Sequence, residues 1–264
     1  MIGGVNSVNA GLASIYSTNT RALSESLGRI ASGKRIQKPS DDFAGYIRSR
    51  ALLNDVSGFQ IVKQDLQKGK GYADYAVEAG TALMEKLERL KELSVLWTAS
   101  DASEQALIEA EGVVIRGEIT DLIANAQYDS NLVFQDGTLI DIELDPDGAS
   151  GSLDITFVEA TDYTSAVEIA ALVVNDGGTT ADAAIAKVTS YLTKASGYSE
   201  DIQRHMDLTD IVINSKEAAA SLITDIDELK EMALATDLQI RQQASIAMMA
   251  QANISQQGIL QLYL

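Results

Sequence analysis

Hydrophobic and small residues recur at steps of three and four along residues 59–97, the most regular pattern in the chain. No charged residue interrupts the series, which comprises Phe59, Val62, Leu66, Gly69, Ala73, Ala76, Gly80, Leu83, Leu87, Leu90, Ser94 and Trp97. A seven-residue repeat sustained over this length predicts one face of a long helix that packs as in a coiled coil. The small residues in the middle of the series predict a close approach of the neighbouring helix, because interaxial distance depends on the side chains at the contact.

The same reasoning predicts helices over residues 4–36, about 43–98, 103–127 and from 180 almost to the end of the chain. We expect Ser40 or Asp41 to cap the second helix and Asp101 to begin the cap of the third. The inner side of the third helix is expected to carry Leu107, Ala110, Val114 and Ile123. A helix of 56 residues is about 84 Å long, whereas a compact globule of this chain length is only some 45–50 Å across. The sequence therefore predicts a rod.

Residues 138–144 and 152–158 alternate apolar and polar positions and predict a β-hairpin, with a third short strand or helix over 166–174. The predicted fold is mainly α: an elongated rod of long antiparallel helices with paired N- and C-terminal helices and a small β-hairpin region at mid-chain. We expect residues 1–42 and 225–264 to form a terminal coiled-coil domain whose connecting loop spans about 33–42. A helical rod domain over 43–137 and 180–224 would carry the hairpin insertion at 138–179.

Charge is absent from both ends of a chain whose net charge is −18. The first 20 residues and residues 242–264 carry no charged side chain. Exposed uncharged amphipathic segments adhere to their neighbours, so these two segments indicate burial against each other and against further copies of the chain. The expected polymerisation interface comprises Val5, Val8, Leu12, Ile15, Leu23, Leu27, Ile30, Leu238, Ile246, Met249, Ile259 and Leu262.

Little in the sequence favours catalysis, and we expect no enzyme activity and no cofactor. The chain has no cysteine and one histidine, His205, in a helical pattern. An EF-hand-like spacing of Glu143, Asp145, Asp147, Gly148 and Asp154 is interrupted by a proline and flanked by predicted strands, so a polar hairpin tip is the better interpretation. The basic residues of 1–71 are spread out and lack an aromatic platform, which argues against nucleic-acid binding. Neither a secretory signal nor a membrane span is expected.

Two separate parts of the chain resemble bacterial flagellin. Residues 30–47 read IASGKRIQKPSDDFAGYI and are similar to the family pattern LSSGxRIxxAxDDxAGxxI. Residues 223–227, 239–244 and 250–253 are similar to the C-terminal pattern IRDADYAxE…QILQQAxxAxLAQAN, and 257–262 to its ending. Residues 86–137 resemble LQRxRELAVQ…EIxRIAxxTxFNGxxLLDG, although this chain has Tyr128-Asp-Ser-Asn where the family has FNG. The resemblance covers roughly 1–137 and 180–264, and it is that of a short flagellin without large outer domains.

The resemblance implies a structural subunit that polymerises into the hollow helical filament used for swimming, after type III export to the outside of the cell. It implies an export chaperone on the C-terminal helix, a filament cap and hook-junction proteins as partners. Lys34, Arg35, Asp41 and Asp42 would form contacts between subunits in the connecting loop. Arg89, Leu93 and Glu111 match positions that the vertebrate innate receptor contacts in the family, although packing within the rod is the favoured interpretation of Leu93 in the intact filament.

Two alternatives remain open at this point. A hook–filament junction protein has similar ends but forms a single short layer instead of a growing polymer. A binding module, such as an adhesin, would use the surface of residues 138–178.

Overall fold

The computed structural model describes residues 2–134, 139–146, 152–156 and 172–263. For residues 2–9, 139–140, 154–156, 256 and 259–263 it describes the backbone alone. The chain separates into two compact units. The first, here the terminal unit, contains residues 1–54 and 216–264, and the second, the central unit, contains residues 55–215. The three-part domain organisation expected from the sequence stays a prediction.

Five α-helices make up most of the described chain. They are α1 (Ile2–Ser32), α2 (Phe43–Ala99), α3 (Ala102–Asn125), α4 (Thr179–Thr224) and α5 (Glu228–Tyr263). The expected helices are confirmed, and α2 has 57 residues. The C-terminal helix predicted as continuous is in fact two, because residues 225–227 interrupt it. Asp227 accepts a hydrogen bond from the Lys230 amide at 3.2 Å and so caps the start of α5.

A glycine and two aspartates determine where three of the helix ends lie. Gly33 has φ +68°, a left-handed conformation that ends α1 at little cost for glycine. Asp101 accepts the amides of Ser103 and Glu104 at 2.9 and 3.0 Å, which confirms it as the cap of α3. The cap expected for α2 was placed one or two residues too early. Asp42 is the residue that accepts the Gly45 amide, at 2.9 Å.

The regular series on α2 lies in the hydrophobic core of the central unit. Of its 12 members, Phe59 and Trp97 are half-buried and the others are buried. The core also takes in residues of α3 and α4, including Ile119 and Ile202. At Gly80 a Cβ atom would stand 2.8 Å from Cδ2 of Leu192 on α4. The predicted close helix approach is therefore confirmed at this glycine.

The inner side of α3 differs from the one expected. Leu107 and Val114 are 74% and 60% exposed, and Ala110 is exposed as well. Of the four expected residues only Ile123 is buried, together with Gly112, Ile115 and Ile119. Both faces of α3 are apolar, so the apolar pattern alone did not identify which of them packs on α2.

Among the described residues between α3 and α4 there are two antiparallel strand pairs. β1 (Gln127–Tyr128) and β2 (Asn131–Leu132) enclose Asp129 and Ser130, whose φ values of 48° and 69° are those of a type I′ turn. This small hairpin was not predicted, and it settles the local turn that replaces the Asn-Gly of the flagellin pattern. β3 (Leu139–Glu143) pairs with β4 (Ser152–Thr156) in the expected hairpin, with Glu143 opposite Ser152.

The turn end of the β3–β4 hairpin packs on the central unit. Ile142 is buried, and the ring of Pro146 lies so close to α2 that a Cβ on Gly58 would meet it at 2.6 Å. Residues 147–151 and 157–171 lie outside the described residues. They include most of the expected strand or helix at 166–174, and Asp147 and Gly148 of the EF-hand-like spacing.

Asp176 fixes the start of α4 against α2. Its carboxylate accepts the amides of Gly178 and Thr180 at 2.9 Å each, and the hydroxyl of the buried Ser94 at 3.3 Å. Partial burial opposes ionisation, but these hydrogen bonds outweigh it and hold the pKa of Asp176 below its usual value.

Candidate assembly surface

Polar contacts join α1 and α5 in the terminal unit. Glu231 Oε1 accepts hydrogen bonds from Ser26 Oγ at 2.7 Å and from Nε and Nη2 of Arg29 at 2.9 and 2.7 Å. Further along, Gln242 donates to the hydroxyl of Thr20 at 2.9 Å. Because earlier residues of α1 meet later residues of α5, the two helices run antiparallel. This arrangement confirms the expected pairing of the N- and C-terminal helices.

Partial burial and hydrogen bonding of Glu231 have opposite effects on its pKa. Burial opposes ionisation, but the hydrogen bonds from Arg29 and Ser26 and the positive charge of Arg29 outweigh it. The pKa of Glu231 is therefore held below its ordinary value, and the pair is ionised at neutral pH. Ser26 is fully buried, so the contact gives α1 and α5 a defined register within one chain.

The loop between α1 and α2 is fastened to the link between α4 and α5. The Arg35 amide donates to Thr224 O at 2.6 Å, and the Ile226 amide donates to Gly33 O at 3.1 Å. The Arg35 guanidinium donates to Ile223 O at 2.9 Å. Lys34 and Asp225 form an isolated antiparallel bridge between these contacts. Within a single subunit, these contacts therefore fasten the loop that follows α1 to the segment that precedes α5.

The four loop residues expected to contact neighbouring subunits have different roles within the chain. Asp41 accepts the amides of Gln37 and Lys38 at 3.0 and 2.9 Å, and these hydrogen bonds lower its pKa. Asp42 caps α2 and lies 3.9 Å from the guanidinium of Arg35, a loose pair. The ammonium group of Lys34 makes no ion pair within the described part of the chain. Contacts of this loop with other subunits stay a prediction.

The expected polymerisation residues fall on several sides of the α1–α5 pair. Ile15, Leu27 and Ile246 are 53%, 52% and 49% exposed, and Leu238 is buried within the pair. Leu12, Leu23, Ile30 and Met249 are half-buried. Val5, Val8, Ile259 and Leu262 lie outside the residues whose side chains the structure describes. Part of the set therefore lies in the contact between α1 and α5 within the chain, and part of it is exposed to solvent.

Further apolar side chains on α5 are exposed, beyond those identified from the sequence. They are Leu229, Met232, Leu234, Ile240, Met248 and Ile254. They lie outside the predicted set of interface residues, although residues 240–254 carry apolar and small residues on more than one face, which predicts contacts with neighbours on several sides. Contiguous exposed apolar surface in a folded chain marks an interaction site. The terminal unit therefore offers an assembly surface larger than the predicted one.

The three residues matched to innate-receptor contacts lie in the central unit. Arg89 donates to Glu111 at 2.8 Å and to Glu92 at 3.0 Å, so α2 and α3 are joined by an exposed ion-pair network. The carboxylates raise the pKa of Arg89, chiefly through its hydrogen bond to Glu111. Leu93 is buried, and core packing accounts for it. A receptor role for these residues stays a prediction.

The described residues also bear on metal binding and on membrane insertion. No cluster of His, Asp and Glu there could hold a metal ion. No helix in that part of the chain has the length and apolar character needed to cross a membrane.

Family models account for both halves of the helical architecture. The bacterial flagellin N-terminal helical region matches residues 5–137, and the bacterial flagellin C-terminal helical region matches residues 179–263. The chain belongs to the flagellin family. It is therefore a structural subunit of the bacterial flagellar filament, the organelle of swimming motility, as its resemblance implied.

Relatives of similar length agree with this assignment. This flagellin is 25% identical to flagellin FljO of Caulobacter vibrioides over 271 residues, which cover 98% of each chain. It is 27% identical to the flagellin of Bacillus subtilis over 286 residues, covering 93% of this chain and 94% of that one. It is 26% identical to the flagellin of Halalkalibacterium halodurans over 252 residues, or 90% of each. These matches confirm a short flagellin, and they give the hook–filament junction alternative no support.

Proposed function

We propose that this flagellin polymerises by burying the outward side of the α1–α5 pair against other copies, which makes the terminal unit the inner layer of a hollow filament. The observation that carries the proposal is the exposed apolar surface on two helices that are already paired within the chain. Ile15 on α1 and Ile240, Ile246 and Ile254 on α5 are each about half exposed or more. Burial of apolar area is the main driving force for such association.

The absence of charge supports the same assignment. Arg21 is the first charged residue of α1 and Arg241 is the last of α5, so residues 2–20 of α1 and 242–263 of α5 are uncharged. A buried unpaired charge is costly, whereas uncharged small and apolar side chains can be desolvated from several sides. Helices of this kind suit a layer in which every subunit touches several others.

We further propose that the protein works outside the cell, is exported through the type III route and has no catalytic activity. Its proposed partners besides itself are an export chaperone, a filament cap and hook-junction proteins. Membership of the flagellin family supports these assignments. Lys34 and Arg35 are proposed to reach neighbouring subunits, with Asp41 and Asp42 shaping the loop that presents them.

A pair of substitution variants tests the proposed surface. Ile15→Glu with Ile246→Glu places two charges on the outward side, whereas Ser190→Glu with Ser196→Glu adds the same charge at exposed polar positions of α4 in the central unit. Seeded polymerisation is followed by light scattering and electron microscopy. We expect the isoleucine variant to stay unpolymerised at concentrations where the control forms filaments. Filaments of normal length from the isoleucine variant would overturn the proposal.

A further inference from the structure

A second apolar stripe lies on the outward face of α3 in the central unit. Leu107, Ala110, Val114 and Gly117 follow one another at steps of three, four and three. All four are exposed, Leu107 by 74% and Val114 by 60%. A Cβ atom on Gly117 would meet nothing within 4 Å. The stripe has the spacing of a helix-packing seam, yet no helix among the described residues of the chain covers it.

Acidic side chains border this stripe. α3 carries five carboxylates and one basic residue, Arg116. Two of the carboxylates, on Glu111 and Glu118, are paired with Arg89 and Lys86 of α2. The carboxylates of Glu104, Glu109 and Asp121 make no ion pair within the part of the chain that the structure describes. Two such faces would repel each other, so pairing of α3 with α3 of another copy is disfavoured.

The beginning of α2 carries the complementary surface. Phe43 and Ile47 are one helical turn apart on its outward side and are 69% and 52% exposed. Arg48 and Arg50 border them, and the segment Phe43–Asn54 contains no acidic residue. The Arg50 guanidinium lies 5.8 Å from the ring centroid of Tyr46, and Arg48 has no acidic partner in the described structure. This helical segment is thus apolar and basic where α3 is apolar and acidic.

We propose that the outward stripe of α3 docks onto α2 residues 43–54 of a second copy of the chain. Exposed apolar area on both faces supplies the driving force, and opposite charge supplies orientation and excludes self-pairing. Because each copy presents one face of each kind, the contact is heterologous and leaves both ends of a growing series open. This inference rests on the proposed assembly function and adds a contact that lies outside the α1–α5 pair.

Charge reversal separates this contact from general electrostatics. Glu104→Lys with Glu109→Lys should slow elongation from wild-type seeds on the order of tenfold, since charges that border an interface act mainly on the association rate. Arg48→Glu with Arg50→Glu should slow it similarly. Combining all four substitutions restores opposite charge across the contact and should recover most of the lost rate. Glu200→Lys with Glu217→Lys is the matched control, with the same charge change on α4, and should elongate at the wild-type rate.

Cysteine pairs report the geometry directly, because the natural chain has no cysteine. Filaments of the double variant Ile47→Cys, Val114→Cys, treated with a flexible bis-maleimide, should yield a ladder of covalent dimers, trimers and longer products. Filaments of either single variant should yield monomer alone. Dimers from Val114→Cys by itself would show α3 meeting α3 and would overturn the heterologous contact.

The outcomes distinguish the inference from the function on which it depends. If the wild-type chain fails to elongate from seeds, the assembly function itself fails. If the wild type elongates but the four charge substitutions show neither loss nor rescue, and the double cysteine variant gives no ladder, the α3 contact alone is wrong. Loss in the E104K/E109K variant together with full rescue and a ladder supports the contact.

Discussion

Arg29 and Glu231 hold α1 and α5 in register: Nε and Nη2 of the guanidinium lie 2.9 and 2.7 Å from the same carboxylate oxygen. Their side chains are 28% and 15% exposed, so the pair is more shielded from solvent than most surface ion pairs. Ser26 supplies a third donor to that oxygen. One carboxylate on α5 thus satisfies two side chains of α1.

The first prediction concerns acid. The pKa of Glu231 is lowered in the folded chain, so its contribution is fully present above its ordinary pKa and is lost as pH falls through the lower folded value. Filaments should therefore depolymerise at a lower temperature at acid pH. Glu231→Gln removes the charge-assisted bonds, which should cost about 1–2 kcal/mol near neutral pH and reduce the dependence on pH.

Circular dichroism of filaments heated at neutral and acid pH measures this effect. Glu228→Gln, one helical turn earlier on α5, removes an exposed charge and serves as the control. Equal behaviour of the two variants at both pH values would refute a special role for Glu231.

The second prediction concerns close helix packing at Gly80. A Cβ there would approach Cδ2 of Leu192 to 2.8 Å, so Leu192 must move. Gly80→Ala should destabilise the central unit by about 1–2 kcal/mol, because overpacking outweighs the better helix propensity of alanine. Gly197→Ala, where a Cβ meets nothing within 4 Å, should instead stabilise by up to about 1 kcal/mol. Urea unfolding of both variants gives the comparison, and the same sign for both would contradict it.

The third prediction separates two roles of Asp42. Its carboxylate caps α2 through the Gly45 amide at 2.9 Å, and an asparagine side chain can make the same bond. Asp42→Ala should therefore cost about 1 kcal/mol in thermal unfolding, whereas Asp42→Asn should cost little. If both variants are equally unstable, the charge of Asp42 matters beyond the cap, as an ion pair with Arg35 of the same chain or with another subunit would require.

The fourth prediction concerns Leu93 and Arg89 on α2. Leu93 is 2% exposed, so Leu93→Ala should destabilise the central unit by about 2–5 kcal/mol through the cavity it leaves. Arg89→Ala removes two exposed ion pairs and should change the melting temperature much less. Thermal unfolding of the two variants measures the difference. Receptor-binding losses in Leu93→Ala must therefore be compared with its folded fraction.

The long helix α2 could be predicted from the sequence because its apolar pattern is consistent with only one buried face. Its 12-residue series has no apolar competitor of equal length, and it lies in the core. α3 is different, since Ile115 and Ile119 mark one face and Leu107 and Val114 another. A monomeric protein would hide only one of these faces. In an assembling protein the second face is apolar too, so the periodicity does not show which one packs internally.

The remaining differences have separate causes. The break at residues 225–227 contains neither glycine nor proline and depends on backbone bonds to Gly33 and Arg35, which are distant in sequence. The β1–β2 turn places Asp129 and Ser130 at positive φ, where asparagine and glycine are the usual signals. The assembly surface was partly predicted, because its uncharged ends are visible in the sequence whereas the division between paired and open sides depends on how α1 meets α5.

Electron microscopy of the purified wild-type chain after seeded polymerisation is the strongest test of the proposed assembly. We expect long, uniform, hollow filaments with a helical lattice and with α1 and α5 in the inner layer. Monomers or short closed rings from the intact chain, under conditions where the seeds themselves remain intact, would contradict it.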